Sequence, residues 1–447
     1  MLGHPGKLCR FLDELSTHER EDGETVELII NGDFVDFLAL PPCKAWTRTE
    51  NEAIRKLEDC LTHKQWSPVF QALGRAANHV DRFTVLLGNH DIELAYPNVR
   101  RRLLKEFGSD EHRCLFITNN EAYRRGDVHV EHGNRADAWN AIDYDGLRHL
   151  MSGFSRGEKV PDMEVCPGSK MVEGMVWALK KTYPFIDLLK PETKVLPLLL
   201  VALEPSMLDA FRKLTVVAQE WWKQLLRMQP WRYEIKPSKN KYISGTTYRT
   251  GLLSTLAAKF AKELTLIEKS VSMAAVTGGT GFDGLAASLK LGKKVPRERL
   301  EQIQEALRCA LDGDRTFDGD SSDGPYFEAA KKLCGMAKEG MAAPRVVLMG
   351  HTHAPRALAT GTRGVYLNTG TWVDMIRPPS RCMEDSEEGR TELSNWLGQL
   401  VGDSDKLRVC QPHYADITLN ELGEIAQPSR RPMLCEYDKD SVFGPPG

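Results

Sequence analysis

Five short apolar runs in this sequence each end abruptly in glycine, asparagine, aspartate or histidine. They occupy residues 26–37, 83–91, 128–133, 345–353 and 364–372, and the first four contain GDFVD, GNHD, HG and GHTH. Short aliphatic or β-branched runs of this kind predict buried strands whose terminal loops carry the polar residues. Helical patterns between the first two runs give a β-α-β order, which predicts an α/β core.

The chain's 447 residues exceed what one compact core usually holds, so two domains, or one domain with a large insertion, are expected. Strand signals are nearly absent from residues 151–342, where apolar residues recur at helical spacing. We therefore predict a core formed by residues 1–150 and 343–447. Residues 151–342 are predicted to form a mainly helical insertion that caps the functional site and selects substrates.

Composition argues against several classes of protein. A formal net charge of -3 is atypical of a dedicated nucleic-acid binder. Ten cysteines without a CxxC pair are typical of reduced thiols, which favours a cytoplasmic protein. The most apolar run, VLPLLLVAL at 195–203, contains a proline and is much shorter than the roughly 20 residues that span a bilayer. We predict a buried helix there and no transmembrane segment.

Several polar residues with suitable chemistry fall at or just past the predicted strand ends. They are Asp33, Asn89, His90, His132, His351 and His353. Carboxylate oxygens, imidazole nitrogens and amide carbonyl oxygens are ligands of hard or borderline divalent cations. Rigid strands hold such ligands in place while the loops stay open to a substrate. The pattern predicts a hydrolytic metal centre at the strand ends.

Residues 31–37, 87–91, 131–134 and 350–353 resemble, in the same order, motifs two to five of the calcineurin-like metallophosphoesterase superfamily. The nearest resemblance is to the bacterial branch that includes UDP-2,3-diacylglucosamine hydrolase. It implies a four-layer α/β/β/α sandwich, with two sheets face to face and helices outside. It also implies two divalent metal ions. We expect Mn²⁺, with Fe, Zn or Ni as alternatives, because mixed His, Asp and Asn ligands discriminate weakly among metals.

The resemblance also implies which residues bind the metals. Asp33 would bridge both ions, and Asn89, His132 and His351 would complete one site. His353 would belong to the other site. Two cations about 3.5–4 Å apart would activate a water for in-line attack on phosphorus.

The catalytic roles are implied in the same way. His90 would not be a ligand; it would lie beside the scissile phosphate and protonate the leaving oxygen. Asp91 would orient the His90 ring. Asp36 would contact residues of the site without binding a metal itself, or it would stabilise the loop.

One motif of the superfamily is missing. The first, D-x-H at the end of the first strand, supplies an Asp and a His to the metal bound by His353. The helical pattern at 6–15 begins too early to leave room for that strand, and His4 is interpreted as a turn residue rather than a replacement. We therefore expect a weak second metal site. We also expect that Met1 is not the natural start and that roughly 10–30 upstream residues encode the strand.

The expected activity is hydrolysis of a phosphomonoester or phosphodiester, and two alternatives stay open. The first is a nuclease of the same superfamily, because lysine and arginine alternate with tryptophan and tyrosine at 223–249. The second is a catalytically weak interaction module on the same fold, similar to the retromer subunit, because the first metal motif is absent. The physiological substrate and the oligomeric state stay undetermined.

Overall fold

The computed structural model describes most of the chain, in segments. The described residues are 4–20, 23–40, 47–109, 112–118, 122–160, 162–163, 166–173, 177–180, 182–204, scattered positions between 208 and 273, 285–311, 322, 324–336, 342–361, 364–425 and 432–437. They form a mixed α/β fold in which helices pack around one parallel and one mixed sheet.

Twelve α-helices have defined bounds among the described residues. They are α1 (Pro5–Thr17), α2 (Glu50–Thr62), α3 (Ser67–His79), α4 (Pro97–Phe107), α5 (Tyr144–Ser155), α6 (Pro167–Met171), α7 (Trp177–Lys180), α8 (Glu192–Leu203), α9 (Leu285–Lys290), α10 (Arg297–Ala310), α11 (Pro325–Gly335) and α12 (Glu387–Gly402). Short 3₁₀ turns occupy Ile92–Ala95, Asn134–Ala136, Ser380–Met383 and Ser404–Leu407.

The first sheet has three parallel strands, β1 (Glu27–Asn31), β2 (Arg82–Leu86) and β3 (Cys114–Ile117), in that order. The first two confirm the strands predicted at 26–37 and 83–91. Helix α2, between them, begins where the Thr49 side chain accepts a hydrogen bond from the Glu52 backbone N–H. This N-cap and the acidic first turn stabilise the start of the helix.

The second sheet has five strands. Their order is β4 (Ala122–Arg125), β5 (Val128–Glu131), β6 (Val346–Met349), β8 (Val365–Thr369) and β7 (Pro355–Ala359). The central three strands are parallel, and the two edge strands are antiparallel to their neighbours. β5, β6 and β8 confirm three predicted strands. Because β5 and β6 run in parallel, the loops after them lie at the same edge of the sheet, although the helical insertion separates them in sequence.

Alternate residues of β6 pack in two directions, as the two-residue period of a strand requires. Val346 and Leu348 belong to a buried cluster that also contains Leu86 of the first sheet. Val347 and Met349 pack instead with Phe327 of α11. The two sheets therefore share one apolar cluster, and α11 covers the other side of the second sheet. Helices α1 to α4 share a third cluster with the buried face of β2.

Helices α8 and α10 of the insertion pack in one buried apolar cluster. Leu196, Leu199 and Leu203 of α8 are buried against Ile303 and Leu307 of α10. The run at 195–203 is thus a buried helix, as predicted. The Arg299 guanidinium of α10 donates a hydrogen bond of 3.1 Å to the Ala202 carbonyl near the end of α8. That bond satisfies a carbonyl that has no partner within its own helix.

The same cluster extends beyond the insertion in sequence. Leu393, Trp396 and Leu397 of α12 are fully or almost fully buried within it. A parallel β-bridge also pairs Leu189 with Ile376. The structure therefore adds a C-terminal helix to the packing unit of the insertion.

A short antiparallel pair, β9 (His413–Asp416) and β10 (Met433–Glu436), forms a separate two-stranded sheet. In the described part of the chain, no helix has the length and apolar character needed to cross a membrane. The basic and aromatic stretch at 223–249, on which the nuclease alternative depends, lies outside the described residues.

Candidate metal centre

Two glycines allow the loops after β1 and β2 to approach each other closely. Gly32 has a positive φ of 76°, and a Cβ added there would lie 2.5 Å from His132 Nδ1 and 2.7 Å from the Gly88 backbone nitrogen. A Cβ on Gly88 would collide with the carboxylate of Asp33. Any larger residue at either position would push these loops apart. The glycines of GDFVD and GNHD therefore bring Asp33 and His132 together.

Asp33, His132 and His351 form a compact group at the carboxyl ends of β1, β5 and β6. One ligand atom from each, a carboxylate oxygen or a ring nitrogen, lies within 4.8 Å of the other two. The Asp33 Oδ2 and His132 Nε2 atoms are 3.2 Å apart. Burial alone would raise the pKa of Asp33, but His132 and His90 outweigh it and hold that pKa well below its usual value. Asp33 is therefore an ionised carboxylate at neutral pH.

The orientation of the His132 ring is set by the main chain. His132 Nδ1 lies 2.7 Å from the Asn31 carbonyl oxygen, so Nδ1 carries the proton and donates to it. Burial lowers the pKa of His132, but Asp33 outweighs it and raises that pKa. In the neutral ring, Nε2 carries a lone pair that faces Asp33 and His351. This is the arrangement of a metal-ligating histidine, whose second ring nitrogen is normally held by a hydrogen bond.

His351 is held by Asp137, a residue that the sequence analysis did not single out. The His351 Nε2 and Asp137 Oδ2 atoms are 3.0 Å apart. Burial opposes ionisation of Asp137, but its hydrogen bond with His351 and further hydrogen bonds lower its pKa to about 2. Burial also lowers the pKa of His351. A neutral imidazole beside a carboxylate leaves Nδ1 of His351 as the available donor for a cation.

The backbone is strained at three of the predicted ligands. Asp33, His351 and His353 have φ values of 53°, 64° and 61°, and among the described residues they are the non-glycine positions with positive φ. Each costs of order 1–3 kcal/mol and persists only where the surrounding structure enforces it. All three lie on the loops of the predicted metal centre, which indicates that the strain is tied to function.

Three buried polar atoms around this group have no hydrogen-bond partner: Asn89 Oδ1, His132 Nε2 and His353 Nδ1. The Asn89 amide is oriented by its Nδ2, which donates 3.3 Å to Asn140 Oδ1. Leaving a buried acceptor unsatisfied costs about 1–3 kcal/mol, and a bound cation would remove that cost. The donor set of carboxylate, imidazole and amide oxygen suits a divalent cation. The residues therefore fit the metal that the sequence predicts.

The predicted ligands do not all lie in one group. His353 stands outside the group formed by Asp33, His132 and His351. Its pKa is held well below the usual value, first by burial and then by the nearby Lys190. A neutral, buried imidazole is suited to metal binding. That His353 binds a second ion stays a prediction.

His90 is oriented by a different aspartate from the one predicted. Its Nδ1 lies 3.2 Å from Asp36 Oδ1, and its backbone N–H donates 3.0 Å to Asp33 Oδ1. Burial would lower the pKa of His90, but Asp36 and Asp33 raise it well above its usual value. A raised pKa favours the protonated ring, which is the form that can donate a proton. Asp36 also accepts a hydrogen bond from the Ala39 N–H, so it supports its own loop as expected.

Asp91 does not contact the His90 ring in the structure, and the prediction that it orients this ring is wrong. Its two carboxylate oxygens accept 2.6 Å hydrogen bonds from the backbone N–H groups of Gly88 and Phe34. Asp91 thus ties the GNHD loop to the GDFVD loop. Burial, followed by the charge of Asp33, raises the pKa of Asp91 to about 7.

A cavity of about 1500 Å³ opens beside this group. Asp33, His90 and His353 line it together with Lys190 and Glu192, which belong to the insertion. Residues 190 and 192 of the insertion thus line the same cavity as His90.

Comparisons with protein-family models, curated proteins and solved structures found no match. The case for a function therefore depends on the chemistry of the site itself. That site joins loops from both sheets at strand ends. Ligand atoms of Asp33, His132 and His351 meet there, and Asp33 and His351 have left-handed backbone.

Proposed function

We propose that this chain is a metal-dependent phosphoesterase that hydrolyses a phosphomonoester or phosphodiester. The observation that carries the proposal is the group of Asp33, His132 and His351, whose donor atoms meet within 4.8 Å on loops with left-handed backbone at Asp33 and His351. The resemblance of the sequence motifs to the calcineurin-like superfamily supports the same activity. The packing clusters between the two sheets, and between each sheet and its helices, support the four-layer α/β/β/α arrangement that this resemblance implies.

In this proposal Asp33, Asn89, His132 and His351 hold one divalent cation, and Asp33 with His353 contributes to a second. Bound cations would neutralise the phosphate oxygens and make a water molecule acidic enough to ionise near neutral pH. Mn²⁺ is the metal that we propose first, with Fe, Zn and Ni as alternatives, because this mixed donor set does not discriminate strongly.

The chain's own residues supply positioning and a proton. His90, kept protonated by Asp36 and Asp33, donates its proton to the leaving oxygen as the phosphorus–oxygen bond breaks. Its backbone N–H is anchored on Asp33, so the proton donor and the central carboxylate keep a fixed separation. Asp91 keeps the two loops together through their backbone N–H groups.

The proposal is tested by measuring hydrolysis of bis-p-nitrophenyl phosphate and p-nitrophenyl phosphate by the purified full chain with added Mn²⁺. We expect metal-dependent hydrolysis of at least one of them. His351→Asn, a change to a residue that tolerates the φ of 64° at this position, should lose bound metal together with activity. His63→Asn, the same change at an exposed histidine, should lose neither. Metal-replete protein that hydrolyses no phosphoester would support the interaction module instead.

Lys190 is the insertion residue best placed to bind the substrate's phosphate. Its backbone N–H donates 2.9 Å to the Ile376 carbonyl, which fixes it against the core. Its Nζ lies 3.2 Å from Glu192 Oε2, and the largely buried side chain lines the cavity next to His353. A lysine ammonium at the edge of such a cavity is a typical phosphate contact.

We expect Lys190→Ala to lower kcat/KM for phosphate esters by about 10- to 100-fold, the typical effect of losing a hydrogen bond to a charged group. Metal content should be unchanged. Lys293→Ala, at an exposed lysine after α9, is the matched control and should behave as the wild type. If Lys190→Ala left kcat/KM unchanged, Lys190 would not bind the substrate's phosphate.

A further inference from the structure

Three residues that are distant in sequence meet on the side of the core near the start of α1. His4 directly precedes α1, Asp374 lies on the segment after β8, and Cys410 lies just before β9. One donor atom from each, an imidazole nitrogen, a carboxylate oxygen and the sulfur, lies within 4.8 Å of the other two. None of these residues belongs to the candidate metal centre.

Asp374 is the unusual member of this group. Its side chain is only 7% exposed, and its Oδ1 atom has no aligned hydrogen-bond donor, although His4 Nε2 lies 3.0 Å away. The other oxygen, Oδ2, is 3.6 Å from Arg408 Nη1. Arg408 is therefore near Oδ2, whereas His4 is near Oδ1. Burying a carboxylate oxygen without a hydrogen-bond donor costs free energy unless a positive charge lies next to it.

Cys410 completes the set with a soft donor. Its Sγ makes one weak contact, 3.9 Å from the Trp372 carbonyl oxygen. Burial, followed by the negative charge of Asp374, raises the pKa of the Cys410 thiol. The thiol is therefore protonated and unreactive on its own, whereas a coordinated cation would displace its proton.

We propose that His4, Asp374 and Cys410 form a second, separate metal site that binds Zn²⁺. Imidazole, thiolate and carboxylate are the usual zinc donors, and a thiolate selects zinc over Mn²⁺ or Mg²⁺. Tetrahedral zinc with bonds of about 2.0–2.3 Å places its ligand atoms roughly 3.3–3.8 Å apart, so the present spacing needs only small side-chain adjustments. Because His4 is half-exposed, the fourth position is open to water.

Zinc at this position would join the start of α1 to the segments after β8 and before β9. Helix α1 contributes Leu8 and Phe11 to the wall of the large cavity. Trp372, on the segment after β8, and Tyr414, in β9, line the same cavity. Phe11 also packs against both aromatic rings, with ring centroids 5.2 Å and 5.1 Å apart. The proposed zinc therefore fixes the wall of the cavity and not its catalytic residues.

The test uses the full chain loaded with Co²⁺, whose absorption reports a thiolate ligand through a charge-transfer band in the near ultraviolet. We expect this band in the wild-type protein and in His351→Asn, which alters the candidate metal centre and tolerates the φ of 64° at this position. Cys410→Ser should abolish it. Cys309→Ser, a change at a partly buried cysteine of α10, should leave it intact. Absence of the band in the wild type, or its survival in Cys410→Ser, would overturn the proposal.

A second measurement does not depend on any variant folding. In the wild-type protein, Zn²⁺ should protect Cys410 from iodoacetamide, as read by mass spectrometry of its peptide, while Cys309 alkylates at an unchanged rate. As a third measurement, zinc content should fall by about one ion per chain in His4→Ala, a change at a half-exposed residue before α1. Equal alkylation of Cys410 with and without zinc contradicts the site, whatever the outcome of the phosphoesterase assays.

Discussion

Asp33→Asn is expected to remove most of the metal and to lower the rate of phosphoester hydrolysis by more than 100-fold. Even residues that only support metal ligands typically cost 10- to 100-fold in affinity or activity when replaced, and Asp33 lies at the centre of the group itself. Asparagine is the informative substitution because it tolerates the positive φ of 53° at this position, which alanine does not. The loss would then report the charge and not a disturbed backbone.

The measurements are metal content after gel filtration and the hydrolysis rate with saturating Mn²⁺. Asp59→Asn makes the same chemical change at an exposed position of α2 and should keep both wild-type values. Circular dichroism should show that Asp33→Asn keeps its secondary structure. If Asp33→Asn retained metal and activity, Asp33 would not be a ligand. The metal would then have to be bound by the histidines without this carboxylate.

The strands that carry the motifs could be predicted from sequence because each is short, apolar and ended by residues that strands exclude. β1, β2, β5, β6 and β8 all lie within the predicted runs. β3, β4 and β7 were not predicted. β4 has the sequence AYRR and β7 has the sequence PRALA, so neither contains a continuous apolar run. Both are edge strands, which are less buried and do not require such a run.

The contacts of individual side chains were harder to predict. Asp91 is adjacent to His90 in sequence, which suggested that it orients the ring. In the fold its carboxylate turns towards two backbone N–H groups, and Asp36, more than fifty residues earlier in the chain, contacts the ring instead. The side chains of adjacent residues in a tight loop point in different directions. Adjacency in sequence therefore does not predict side-chain contact.

Partners separated by hundreds of residues could not be found from local patterns at all. Asp137 meets His351 because β5 and β6 are parallel neighbours, and nothing around Asp137 marks it as a ligand's partner. His4 was interpreted as a turn residue because its local sequence resembles no metal motif, yet it faces Asp374. Such pairs follow from strand order and helix packing, which single-sequence patterns leave open.

His90→Ala is expected to keep bound metal and to lose about 10²–10⁴-fold in rate, the usual contribution of a positioned proton donor. The loss should be larger for esters with poor leaving groups, since a good leaving group departs without protonation. Rates are measured on a series of aryl phosphate esters of increasing leaving-group pKa. In the variant the dependence of rate on that pKa should steepen. Equal losses along the series would exclude His90 as the proton donor.

Asp36→Asn and Asp91→Asn separate the two aspartates around this histidine. Asp36 contacts the ring, so its replacement should steepen the leaving-group dependence in the same direction as His90→Ala but by less, because the donor itself is kept. Asp91 holds two backbone N–H groups, and asparagine can accept from only one of them with its single oxygen. Asp91→Asn should therefore lose about 1–3 kcal/mol of unfolding free energy, measured by urea denaturation, with little change in leaving-group dependence. The reverse pattern, a leaving-group effect in Asp91→Asn and none in Asp36→Asn, would restore Asp91 as the residue that orients His90.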